Sequence, residues 1–263
     1  MQVAKKLVFI GFGYFLDKNA GLQSLSSGDV YIVSLQFNAG SEGSVVEGAY
    51  GIFYINTNKI WLRRTRINTC YFYDNNALSD IKITQCYAGQ ITEYYANKGV
   101  TNLTLKNNYI GYASLNRSTG IFSNNVVDGT FYLNSFLVKN NIIGGCIIGS
   151  LNIVQNNIFS TTCSISGGSN NQFNVNFTNV FTGWNFGIVS DSSLVLKAGS
   201  VAVNSGVKND NTATDAGVFG GEPGEAYRLS GIPGVPSIYK MSAASQTVTT
   251  NPYVITVSIR GNN

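Results

Sequence analysis

Acid–base cleavage of a glycosidic bond with inversion needs two carboxyl groups about 6.5–9.5 Å apart. The 263-residue chain holds thirteen Asp and Glu, seventeen Lys and Arg, and no His. Without His there is no His-based triad, no His–zinc site and no histidine pH switch. No DxxD or DD pair stands in the repetitive part of the chain. Asp74 and Glu93 are the one pair that stacking of successive segments could bring together, as catalytic carboxyls or as a Ca²⁺ site. Surface charge is the simpler reading of both. Glu42 and Glu47 lie in a Gly/Ser-rich stretch and read as turn residues.

The basic residues are more suggestive. Arg63, Arg64, Arg66, Lys82 and Lys106 gather near Trp61. Trp61, Arg63, Lys82 and Lys106, with the outward tyrosines Tyr71 and Tyr132, could bind an acidic sugar chain. Aromatic rings stack on sugars and cations meet their carboxylates. A lyase base would come from the same residues. The plainer reading is a solvated strand face that discourages lateral pairing.

Something must hold these residues in place, and composition points to it. Charged residues are 11% of the chain, against about 25% in an average soluble protein. Asn alone counts 32, more than all acids and bases together. A net charge of +4 is too dilute for a dedicated nucleic-acid binder. No apolar run approaches the roughly 20 residues of a membrane span. Lys5 and Lys6 precede the apolar stretch from Leu7, but Gly11 and Gly13 interrupt it, so Leu7–Ile10 reads as a buried strand.

An internal repeat explains the Asn. Asn-Asn pairs stand at 107–108, 124–125, 140–141 and 156–157. Taking Asn108, Asn125, Asn141 and Asn157 as anchors, Thr65 and Cys86 fit the same place in two earlier segments. Three residues before the anchor stand Leu62, Ile83, Leu105, Phe122, Val138 and Val154; two after it stand Ile67, Ala88, Ile110, Val127, Ile143 and Phe159. The two positions immediately before the anchor are polar in all six segments. Alternation on both sides of a polar corner means strand, sharp turn, strand. Coils of 16–22 residues without helical period predict an all-β, parallel β-solenoid. Asn at the anchor is expected to take the left-handed corner conformation and to form a ladder of stacked amides.

A second strand follows, with Cys70, Phe72, Ala113, Leu115, Phe131, Leu133, Cys146, Ile148, Cys163 and Ile165 inward. Cys146 and Cys163 then stack, as free thiols by preference and as a disulfide by alternative. Glu93 falls inward by counting, which implies a one-residue slip in that coil; Asn152 falls at a nominally inward position too.

The repeat resembles that of secreted right-handed parallel β-helix proteins of Bacteroides-type bacteria, a pectate-lyase-like solenoid, which implies a right-handed parallel β-helix here. Three segments carry the likeness: 6–16 with its Gly11-Phe12-Gly13-Tyr14 turn, the central Asn-Asn coils, and the run from Asp215 through Tyr227-Arg228-Leu229-Ser230-Gly231 to Tyr239. The resemblance implies export, a closing segment at the C-terminus, and further coils with a signal peptide ahead of the first segment. It divides the chain into coils at 1–190 and irregular final coils, cap and terminal hairpin at 191–263, in one structural unit. Asn176–Phe181 reads as an irregular coil, and Ser237–Ser242 with Pro252–Arg260 as the hairpin.

Ile121, Leu137 and Ile153 would form an outward apolar ridge, which soluble monomers tend to avoid. The expectation is that the C-terminal segment covers it, or that a second copy does; a monomer is the simpler state. The function expected is a non-catalytic extracellular or cell-surface protein, binding polysaccharide or purely structural. The competing class is a polysaccharide lyase or glycoside hydrolase. No cofactor is expected beyond that Ca²⁺ option.

Overall fold

The structure is a computed structural model and describes residues 1–19, 21–22, 31–73, 77–94, 98–165, 168–184, 190–243 and 255–261. It is a parallel β-solenoid of about 7 turns with 4% helix. An eight-stranded sheet stacks Val8–Ile10, Val45–Glu47, Trp61–Arg63, Lys82–Thr84, Leu103–Lys106, Gly120–Ser123, Phe136–Lys139 and Ile153–Gln155. The facing sheet includes Tyr31–Phe37, Tyr50–Ile55, Arg66–Phe72, Tyr87–Glu93 and Tyr109–Leu115.

The repeat columns are the registers of these sheets. Leu62, Ile83, Leu105, Phe122, Val138 and Val154 are Cα partners in series and are buried. Ile67, Ala88, Ile110, Val127, Ile143 and Phe159 do the same on the facing sheet. Like stacks on like, and the burial of these apolar rows stabilises the coil.

At the corner the two Asn of each pair divide the work. The first, not the anchor, takes the left-handed conformation: Asn107, Asn124, Asn140, Asn156 and Asn170 have φ of 54–59°. Arg64 and Gln85 take it at the same position in earlier coils, despite the side-chain crowding that makes it costly. The second Asn makes the ladder. Asn108 N and Nδ2 both donate to Asn125 Oδ1 at 3.0 Å, and its Nδ2 also donates to the Ile83 carbonyl. Asn125, Asn141 and Asn157 repeat the pattern, and the ladder runs one rung further, to Asn171. Thr65 Oγ1 and Cys86 Sγ donate to the matching carbonyls of Val46 and Leu62. Asn, Thr and Cys share the position because each can supply that donor.

Five local expectations change. Val8–Ile10 is a strand, but an edge one, with Val8 and Ile10 exposed. Glu47 is a buried strand residue rather than a turn residue. Cys146 stands one position out of frame: Ile147 is the Cα partner of Phe131 and packs inward in its place, and Ile148, expected inward, is exposed. Cys146 and Cys163, on neighbouring coils, form a disulfide with Cα atoms 5.6 Å apart, not stacked free thiols. Cys70 and Cys86 are the buried free thiols; burial pushes Cys86 up to about 12 and Cys70 higher. Asn176–Phe181 is a 3-10 turn capped by Asn176, not a coil.

The disulfide closes a sequence separation of 17 residues. Its reduction is expected to lower stability by about 3 kcal/mol, seen as a lower thermal midpoint in reductant that Cys146→Ser reproduces and does not add to.

The closing segment runs along the Asn corner. Asn140 Nδ2 donates to the Val207 carbonyl, Asn124 Nδ2 to Asp215, Asn107 Nδ2 to Val218 and Gly220, Gln85 Nε2 to Gly224 and Glu225, and Arg64 to Ile232. These left-handed corner residues project outward as a polar track. Beside it, Tyr109, Val126, Ile142 and Ile158 form a second core with Phe177, Phe181, Leu194, Ala216, Val218 and Tyr227. The covered outward ridge is therefore the column just after the anchor. Ile121, Leu137 and Ile153 do stack as Cα partners. None of them belongs to that second core, and Ile153 is 54% exposed. Beyond the cap, Ser237–Ala243 pairs antiparallel with Ile255–Arg260.

Candidate functional site

Register assembles four of the six expected binding residues. Lys82 is the Cα partner of Trp61, Thr84 that of Arg63, and Lys106 that of Thr84. They form two outward columns over three coils of the eight-stranded sheet. The Trp61 indole N–H donates to Thr84 Oγ1 at 2.8 Å, which fixes the ring. The Arg63 guanidinium lies 4.8 Å and the Lys82 ammonium 6.0 Å from the ring centroid.

The closing segment makes the opposite wall. Gln85, held by its corner geometry, binds the carbonyls of Gly224 and Glu225 at 3.0 and 2.9 Å. The result is a groove of about 310 Å³ that also takes in Arg64, Asn107 and Pro223. Volumes of this order are typical of ligand sites.

Its charge is positive. Glu47 binds Arg63 at 2.6 Å and Arg64 at 2.9 Å, and Glu225 binds Lys106 at 3.0 Å. Lys82, which stands beside Trp61 without lining the groove, is exposed and makes no ion pair among the described residues. Burial, with Arg228 nearby, lowers the Arg64 guanidinium to about 10; it remains charged at neutral pH. Two buried polar atoms of groove residues, Arg63 Nε and Asn107 Oδ1, have no hydrogen-bond partner among the described residues.

The other expected residues lie elsewhere. Tyr71 and Tyr132 are on the facing sheet, three coils apart, and do not reach the groove. Tyr71 stacks on Tyr54 at 5.2 Å and meets Tyr94 edge-on at 5.1 Å. Asp74 lies outside the described residues. Glu93 needs no slip: it pairs with Phe72 in the inward column, and its carboxylate turns to the next coil. There it accepts from the backbone N–H of Arg117 and Ser118 and from Ser118 Oγ. Those three donors account for an acid at an inward position and leave it a structural part. Among the described residues no group of three or more His, Cys, Asp or Glu could hold a metal ion, and no helix is long and apolar enough to cross a membrane.

Fold and groove together define a β-solenoid whose own C-terminal segment walls a cationic, Trp-lined surface cleft. No protein-family model, curated protein or solved structure matches the chain.

Proposed function

We propose that the protein is an exported, non-catalytic β-solenoid of the secreted Bacteroides-type kind that binds an acidic polysaccharide beside Trp61. The observation that carries this is the ring itself, fixed by Thr84, flanked by Arg63 and Lys82, in a groove with excess positive charge. The ring would stack on a sugar face while Lys82 and the Arg63 edge meet carboxylates. The Cys146–Cys163 disulfide supports export, since such cross-links persist in oxidising compartments. The carboxylates beside this groove, Glu47 and Glu225, are both ion-paired, which favours binding over hydrolysis or elimination. No metal or other cofactor is part of the proposal. A monomer suffices for it, with the Ile121–Leu137–Ile153 ridge as the place where a self-contact would form.

Trp61→Ala and Lys82→Ala are each expected to weaken binding of a polyuronate by about tenfold or more, which is about 1.4 kcal/mol. Calorimetry at two salt concentrations reads this, and the Lys82 effect shrinks in high salt. Unchanged affinity in both variants would sink the assignment of the groove.

A further inference from the structure

We propose that a hollow between the last coils and the 174–184 segment is a second binding site, for a neutral pyranose. It measures about 380 Å³ and is lined by Asp128, Gly144, Ser160, Asn174, Asn176, Thr178 and Trp184, with Val175 and Phe177 behind. Asp128, Gly144 and Ser160 each stand three residues after their anchor, so they succeed one another on stacked coils. Gly144 is required there, because a Cβ would come within 2.4 Å of the Asp128 carbonyl oxygen. Its missing side chain leaves the gap between Asp128 and Ser160 open.

Trp184 supplies a wall. Its ring stacks on Phe181 at 5.1 Å and meets Phe177 edge-on at 5.1 Å, so packing sets its orientation. Asp128 Oδ2 accepts from Tyr109 at 3.4 Å, and Oδ1 accepts nothing among the described residues. Asn176 Oδ1 is taken by Thr178 N and Oγ1, and Asn174 Oδ1 by Thr162. The Lys197 ammonium is close by, on the Thr178 carbonyl, but does not line the hollow. A carboxylate with a free oxygen accepts from vicinal hydroxyls, amides serve the rest, and an indole takes the C–H face of the ring. Asp128 is the sole ionisable group among the described lining residues, so an acidic sugar would be repelled. The two sites have opposite charge and select different residues of a glycan.

The chain's two tryptophans, Trp61 and Trp184, fall one in each site, so fluorescence separates them. Full-length Trp61→Phe protein reports on Trp184 alone. Its emission is expected to change saturably with at least one of methyl glucoside, methyl galactoside, methyl mannoside, cellobiose or lactose, and not with galacturonate. Asp128→Ala in that background is expected to weaken binding by about tenfold or more, the effect of losing a charged acceptor. Trp184→Phe protein should give no response to the neutral sugars. A Trp184 signal indifferent to every neutral sugar overturns the proposal, as does a folded Asp128→Ala variant that binds equally well. If Asp128→Ala fails to fold, as circular dichroism would show, the Trp61→Phe titration decides alone. Neither result bears on the cationic groove, which Trp61 reports separately with acidic polymers.

Discussion

Asn125→Ala is expected to cost about 3 kcal/mol. The substitution strips Oδ1 from Asn108 N and Nδ2, and takes a donor from the Leu105 carbonyl and from Asn141 Oδ1. Asn125 is fully buried, so water cannot replace the lost partners, and each unsatisfied buried group costs about 1–3 kcal/mol. A cavity adds to this. Against a total stability of about 5–15 kcal/mol, the urea midpoint should fall visibly. Asn125→Thr should recover part of the loss, because Thr65 already donates to the equivalent carbonyl from the same position. If Thr were no better than Ala, the ladder would owe its stability to shape rather than to its donors.

Asp191→Ala should be at least as damaging, by about 3–5 kcal/mol, and should act on the groove as well. Asp191 is fully buried. Its Oδ1 accepts from Asn19 Nδ2 at 2.7 Å, and its Oδ2 from Tyr227 OH at 3.0 Å and Ser230 N at 2.6 Å. Tyr227 in turn meets Tyr14 OH at 2.6 Å. One carboxylate thus ties the first coil to the closing segment; its removal takes an acceptor from three buried donors, and leaves Ser230 N with none among the described residues. Hydrogen exchange should show residues 215–232 opening below the global unfolding free energy. Because residues 223–225 wall the groove, ligand affinity should fall with them. Protection of 215–232 equal to wild type would contradict the latch.

The same carboxyl gives a pH signature. Burial outweighs its hydrogen bonds and holds Asp191 above the ordinary Asp range. The folded chain therefore holds this proton more tightly than the unfolded chain does. The contribution to stability is complete below about pH 3.9, the unfolded value, and is lost as pH rises through the folded value. Wild type compared with Asp191→Asn should lose stability across that window and level off above it.

The coils were legible because a solenoid repeats its chemistry: six residues in one column, all apolar, leave one way to face. The corner was legible as a place but not in its division of labour, since in an Asn-Asn pair either residue is compatible with a left-handed turn. A fifth pair, Asn170-Asn171, continued the ladder at a spacing of 14; the shorter coil hid it. The apolar column Tyr109–Val126–Ile142–Ile158 was in plain sight beside the anchors. It competed with Ile121–Leu137–Ile153, and sequence does not say which of two outward ridges a distant segment will cover. Glu47 and Asp191 had no local signature, because their partners lie up to 187 and 172 residues away. For the groove, the sequence placed Trp61, Arg63, Lys82 and Lys106 together through the repeat. Its far wall, at Pro223–Glu225, depends on where the closing segment docks, which the repeat does not encode.

The most direct test of the acidic-glycan reading uses Trp184→Phe protein, in which Trp61 is the one remaining indole. Titration with polygalacturonate should change Trp61 emission saturably, the effect should weaken with salt, and fully methyl-esterified polymer should bind far less. The polymer should keep its length throughout. A Trp61 signal that ignores the acidic polymer, or that prefers the neutral ester, would contradict the account, and so would shortening of the chain during the titration.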